Sequence, residues 1–282
     1  MTARTPHSGH RRSQNRTPLI AAVAAGVLSL AIAAQAALAT DLPETGSTSA
    51  AVRTLGAPQA AGEEQLTATR RVTGVFDGAR TRFTGAGALA GDGQEEGQGP
   101  LFELADGAVL KNVILGSPAA DGVHCLGSCT LDNVFWEDVG EDAATFLGES
   151  ADAAYLVTGG GAARAADKVF QFNGAGTLTV RNFEAADFGK LVRSCGNCAR
   201  QFRRDVVLEN VTATAPGGEL VGINSNFGDT ARLSGVTVLG DPGRKTVPCQ
   251  KFRGVTDGEP EKLDATADGV HCVFERTDLD FR

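Results

Sequence analysis

Methionine, tryptophan and tyrosine occur once each in 282 residues, and histidine only four times. Two of those histidines, His124 and His271, lie beyond residue 39, too few to build a zinc centre on imidazole. Lysine is scarce as well, with six residues, and Asp and Glu outnumber Lys and Arg by 34 to 26. The resulting formal charge of −8 argues against a general nucleic-acid binder, which needs clustered cations to meet phosphate. The 36 glycines show no three-residue period, which excludes collagen. With 42% apolar and 21% charged residues the chain is too ordinary for a disordered polymer. After residue 39 no apolar stretch is long enough to cross a bilayer, and no segment keeps a convincing amphipathic helical period.

The first 39 residues are read as a secretory signal. Arg4, Arg11, Arg12 and Arg16 form a basic start without acids, followed by an apolar, Ala-rich run that closes on Ala37-Leu38-Ala39. Its removal leaves 22 Lys and Arg against 34 Asp and Glu, a net charge of −12, on a product expected to be extracellular and free of the membrane. Residues 40–68 are mostly small, polar and aperiodic, and read as a flexible leader ahead of one domain at 69–282.

That domain repeats. Short apolar strands ending in Asn or Gly recur as Leu110-Lys-Asn-Val113, Leu131-Asp-Asn-Val134, Leu156-Val-Thr-Gly159, Val180-Arg-Asn-Phe183, Leu208-Glu-Asn-Val211 and Leu233-Ser-Gly-Val236. Anchored on positions 112, 133, 159, 182, 210 and 235, the intervals are 21, 26, 23, 28 and 25 residues. One such unit cannot bury its own apolar face, whereas stacked units share a continuous core. The several leucines at fixed offsets that mark leucine-rich repeats are missing. A sandwich of hairpins is the competing architecture, but the period suits one coil rather than one hairpin. The expected fold is an all-β parallel β-helix, a single-chain solenoid.

Stacking places equal offsets in one column, about 4.8 Å apart per coil. Offset nine gives Asp121, Asp142 and Lys168, and offset eight in the next coil gives Lys190. Asp138 and Glu141 lie beside the column, and Arg193 follows three residues after Lys190. Carboxylates, two lysines and an arginine thus share one face, either as a site or as a surface ion-pair ladder of small energetic value. The run Trp136-Glu-Asp-Val-Gly-Glu-Asp142 offers hard oxygen ligands at a density that suits calcium, without the alternating pattern of an EF-hand. Repeated Ala-Asp-Gly-Val-His-Cys strings at 120–125 and 267–272 suggest that the histidines are hydrogen-bonded core residues rather than catalysts. All six cysteines fall in the exported part, which favours disulfides. Of the 15 pairings possible, Cys125–Cys129, Cys195–Cys198 and Cys249–Cys272 are preferred over a four-thiolate zinc site made by the first four.

Four motifs in order carry a resemblance: Ala119-Ala-Asp-Gly-Val-His-Cys125, Glu137-Asp-Val-Gly-Glu-Asp-Ala143, Ala166-Asp-Lys-Val-Phe-Gln171 and Phe188-Gly-Lys-Leu-Val-Arg-Ser-Cys-Gly-Asn-Cys198. Together they resemble secreted pectate lyases of the third polysaccharide lyase family, from about Thr69 to near the C-terminus. The resemblance implies a right-handed parallel β-helix, calcium as cofactor, and cleavage of polygalacturonate by β-elimination. By motif, Asp138, the Val139 carbonyl and Glu141 match structural calcium ligands. Asp121, Asp142 and Glu96 match acids that line the substrate cleft, and Lys168, Lys190 and Arg193 match the basic catalytic set. Lys168 is the expected base, with the protein acting as a monomer on pectate and on no nucleic acid.

One position departs from the pattern. The family usually carries a lysine where this chain has Leu147, after Thr145-Phe146. A substrate-contacting cation is missing there, so the rival expectation is a pectin-binding β-helix with impaired catalysis.

Overall fold

The computed structural model describes residues 55–95 and 97–282; the signal segment, most of the leader and Glu96 lie outside them. Neighbouring strands pair in parallel over almost the whole domain, each with the strand one coil away. The exception is Val247–Arg253 against Glu261–Lys262, which run antiparallel. Helix is confined to the 3-10 turns Gly87–Leu89, Ser225–Phe227 and Arg276–Asp278 among the described residues. None is long and apolar enough to cross a membrane. The result is the parallel β-helix that the repeat period predicted.

The repeat anchors mark a physical corner. Asn112, Asn133, Asn182 and Asn210 have φ of 53°, 56°, 53° and 53°, and Gly159 and Gly235 have 65° and 62°. These six coils turn through the left-handed region at this point, where Asn and Gly are the tolerated residues. The amides also stack, with Asn133 Nδ2 donating to Asn112 Oδ1 at 2.9 Å and Asn112 Nδ2 to Asp77 Oδ1 at 3.0 Å.

Three ladders run along the axis, and their inward residues form continuous rows. Before the Asn corner, Leu110, Leu131, Val157, Val180, Leu208 and Leu233 are in register. After it, Leu115, Trp136, Ala162, Ala185, Ala213 and Val238 are aligned. The third ladder aligns Phe102, Val123, Ala144, Phe170, Val192, Val221 and Cys249. These side chains are buried, and rings interlock across coils: Trp136 meets Phe170 edge-on at 6.0 Å, and Phe170 meets Phe183 at 5.2 Å. Each fully buried ring adds about 1.5–3 kcal/mol of hydrophobic stabilisation, so the stack rather than any single coil holds the domain.

The leader is shorter than its composition suggested. Gly62–Leu66 is a strand paired with residues 81–85, and Leu55 packs on Ala163 and Ala186. Its polar residues sit on the outward face, and only Leu66 is buried, which is why the segment reads as aperiodic. At the other end, Leu279–Phe281 pairs with Val236–Leu239. The three disulfides are Cys125–Cys129, Cys195–Cys198 and Cys249–Cys272, as the spacing favoured.

Candidate active site

The acids come from the loop that joins the second ladder to the third. Its backbone is tied to the coils on both sides: Val139 N donates to Ala163 O at 3.1 Å, Glu141 N to Ala120 O at 2.9 Å and Ala143 N to Val169 O at 2.9 Å. So close an approach needs glycine at two positions, because a methyl on Gly122 or Gly140 would overlap the carbonyl of Ala143 or Ala120. The role of Gly140 is this contact between coils. From the glycine-rich stretch 91–99, Gln94 Nε2 donates across the loop to Gly140 O at 2.9 Å and Glu141 O at 3.0 Å.

The four acids of this loop then diverge. Glu137 grips Arg82 through both oxygens, at 2.8 and 2.7 Å, away from the column. Asp138 pairs with Arg164 at 3.0 Å, and Val139 beside it is buried. Glu141 and Asp142 turn inward and meet Asp121 of the preceding coil, so that three carboxylates offer oxygens within 4.8 Å of one another. Asp121 Oδ2 is held by His124 Nε2 at 2.7 Å, while its Oδ1 is buried without a hydrogen bond. His124 is therefore hydrogen-bonded, as expected, but it lies beside the acids rather than in the core.

Asp142 is 2% exposed, and its Oδ1 also lacks a hydrogen bond. Burial pushes its carboxyl up to about 8; Lys168 opposes the shift, and the charges of Glu141 and Asp121 add to it. Buried carboxylate oxygens without a hydrogen bond are costly unless a charge compensates them, and Lys168, 3.5 Å from Asp142 Oδ1, does so only in part. An all-oxygen donor set of this kind fits a hard divalent cation such as calcium.

Lys168 and Lys190 stand opposite each other in adjacent coils. A single carboxylate bridges them, with Asp167 2.8 Å from the Lys168 ammonium and 2.7 Å from that of Lys190. Sequence reasoning passed over Asp167, although it occupies offset eight, the same offset as Lys190. Lys168 also lies 3.5 Å from Asp142 and 3.8 Å from Glu141. Burial works against its charge, but Asp142, Asp167 and Glu141 outweigh burial and hold its pKa above the usual lysine value.

Arg193 continues the outward row of the third ladder, in register with Gln171 and Gly222. It is only 6% exposed. Burial lowers its pKa to about 10, against the opposing charges of Glu219 and Asp229. Two glycines make room for it: a methyl on Gly222 would lie 2.8 Å from Arg193 Cδ, and one on Gly196 2.5 Å from Nη2. Leu147 is half-buried and donates its N–H to Cys125 O at 2.8 Å, so the position expected to hold a cation presents an apolar side chain.

Fold and site together define a parallel β-helix protein that sets clustered carboxylates against a lysine pair and, further along, a buried arginine. The family described as pectate lyase matches residues 54–259. A probable pectate lyase F of Aspergillus terreus is 47% identical over 191 residues, 67% of this chain and 79% of that protein. Pectate lyase H of Emericella nidulans is 44% identical, covering 77% of this chain and 82% of that one. Among solved structures, a pectate lyase of Erwinia chrysanthemi in complex with tetragalacturonic acid superposes with a TM-score of 0.65 at 29% identity, over 77% of this chain and 70% of that chain. The catalytic domain of the same enzyme gives 0.62 at 30% identity, over 79% and 98%. The chain belongs to the pectate lyase family, and it is an enzyme of that kind, a carbon–oxygen lyase acting on polysaccharide.

Proposed function

We propose that the protein is a secreted, calcium-dependent pectate lyase of the third polysaccharide lyase family, which acts as a monomer and cleaves polygalacturonate by β-elimination. One observation carries this reading: three carboxylates within 4.8 Å of one another abut a lysine pair and, along the same face, a buried arginine. The basic start and apolar run of residues 1–39 support export. The bound tetragalacturonic acid of the Erwinia relative supports an oligogalacturonate as ligand.

In galacturonate the C5 proton lies next to a carboxylate. Its removal leaves an electron pair that delocalises onto that carboxylate. The C4–oxygen bond then breaks, a C4–C5 double bond forms, and the glycosidic oxygen leaves with its bonding pair and takes up a proton. Asp121, Glu141 and Asp142 are the groups that would hold calcium; Asp138, with the Val139 carbonyl beside it, would join them only if released from Arg164. Bound there, calcium supplies positive charge to neutralise the acids and to draw in a substrate carboxylate.

Lys168 is the proposed base. Ordinary lysine titrates near 10.4, and here the surrounding acids hold the proton on. A cation on Glu141 and Asp142 would offset two of the three charges that hold this proton, leaving Asp167 at 2.8 Å as the third. Lys190 and Arg193 stabilise the charge that develops on the substrate carboxylate.

Mass spectrometry of the products tests the reaction class. Elimination gives new non-reducing ends one water lighter than those of hydrolysis, and such unsaturated oligogalacturonides are the expected products. Leu147 favours one rival, a pectin-binding β-helix with impaired catalysis, and retention of pectate without any unsaturated product would establish it.

A further inference from the structure

Arg193 is more enclosed than Lys168 or Lys190, and its contacts are unevenly distributed. Nη1 donates to Ser194 O at 2.5 Å and to Asn224 Oδ1 at 3.1 Å, with Gly222 O at 3.5 Å. Nε and Nη2 have no acceptor among the described residues. One nitrogen anchors the side chain, and the other two keep donors for a planar carboxylate, for which a guanidinium offers parallel hydrogen bonds. The ring of Phe252 covers the group, 3.9 Å from the guanidinium carbon.

The backbone acceptors cannot fix this orientation by themselves, since a carbonyl accepts over a broad range of directions. Asn224 is different. It is fully buried, and its amide has one permitted orientation, because Nδ2 donates to Cys195 O at 2.8 Å and leaves Oδ1 to face Arg193. Its own backbone is pinned as well. Asn224 N donates to Asp229 Oδ2 at 3.0 Å, and Asp229 Oδ1 accepts from Arg204 N at 3.0 Å. Arg204 is itself fully buried, with Nε on Gly174 O at 2.9 Å and Nη2 on Asn173 O at 2.7 Å. A chain of satisfied polar groups thus runs from the interior of two neighbouring coils to one nitrogen of Arg193. Networks of this kind specify a single geometry when every member is paired.

We infer that Asn224 is a positioning residue for the elimination: buried away from substrate, it fixes Arg193 so that Nε and Nη2 face the substrate carboxylate. The inference rests on the reading that Arg193 takes part in the chemistry. A misplacement of about 1 Å at a group that meets developing charge can cost on the order of 100-fold in rate.

A double-mutant cycle on kcat with polygalacturonate at saturating calcium tests this, with thermal unfolding of each variant in parallel. Asn224→Ala is expected to lower kcat roughly 10- to 100-fold, with a smaller change in KM. In the Arg193→Ala background the same substitution is expected to change kcat less than about twofold, because there is no guanidinium left to misplace. Asn224→Asp keeps the Oδ1 acceptor and drops the bond to Cys195 O, so it is expected to retain most of the wild-type kcat. If Asn224→Ala does not fold, Asn224→Ser makes the same cut with a side chain too short to reach Nη1. An equal fold-loss in both backgrounds would overturn the positioning role and leave Asn224 as a packing residue. Wild-type kcat in Arg193→Ala would instead refute the part given to Arg193, and the positioning role with it.

Discussion

Lys168→Ala is expected to lower kcat by about 10²- to 10⁴-fold, the range that a general base contributes. The loss should appear at saturating substrate and calcium, because the side chain is called on in the transition state and not only in binding. The geometry that motivates this is the ring of acids around one ammonium: Asp167 at 2.8 Å, Asp142 at 3.5 Å and Glu141 at 3.8 Å. A lysine so placed is a poor base while all three charges face it, and a cation on Asp142 and Glu141 would make it a better one, which couples metal to chemistry. Initial rates of unsaturated-product formation measure the effect. Near-full turnover in Lys168→Ala would remove it as the base and shift attention to Arg193, whose proton burial already loosens.

Asp142→Asn should uncouple the protein from calcium. Among the three clustered acids Asp142 is the most deeply buried, and its Oδ1 makes no hydrogen bond, with only the Lys168 ammonium 3.5 Å away to offset its charge. Calcium affinity follows the number of charged oxygen ligands, so replacing one carboxylate by an amide should raise the calcium concentration needed for half-maximal activity by roughly 100-fold. Ligand binding to the folded state also raises the unfolding temperature by mass action. Wild type should therefore melt higher as calcium is added, and Asp142→Asn should show little of that response over the same range. The neutral amide still fits the space, so without calcium the variant should unfold no earlier than wild type. A calcium-dependent rise equal to that of wild type would show that the ion is held elsewhere, with Asp138 as the next ligand to test.

Much of the architecture was legible because a β-helix writes its geometry into the chain at a fixed interval. The anchors at 112, 133, 159, 182, 210 and 235 are all left-handed corner residues, so counting from them placed Asp121, Asp142, Lys168 and Lys190 on one face before any coordinates. What the count could not supply was direction. Asp138 and Glu141 belong to the same short loop, yet Asp138 turns out to Arg164 while Glu141 turns in to Lys168, a difference set by loop backbone and not by offset. Asp167 was hidden for a related reason, since a carboxylate next to a lysine in sequence reads as a local pair and not as a bridge between two coils. The surroundings of Arg193 come from Asn224 and Phe252, one and two coils further on, and no local motif joins residues so far apart. Gly62–Leu66 was missed because a five-residue strand with one buried side chain leaves no alternation to detect.

The central claim is that the acid cluster and the basic set form one cation-dependent elimination site. The most direct test follows the ultraviolet absorbance of the conjugated product as the mature protein meets polygalacturonate at alkaline pH, with free calcium titrated and then removed by chelator. The account predicts a rise in absorbance that grows with calcium, stops on chelation and resumes when calcium is restored. A rise that is indifferent to chelator, or no rise from a folded protein that still binds pectate, would contradict it.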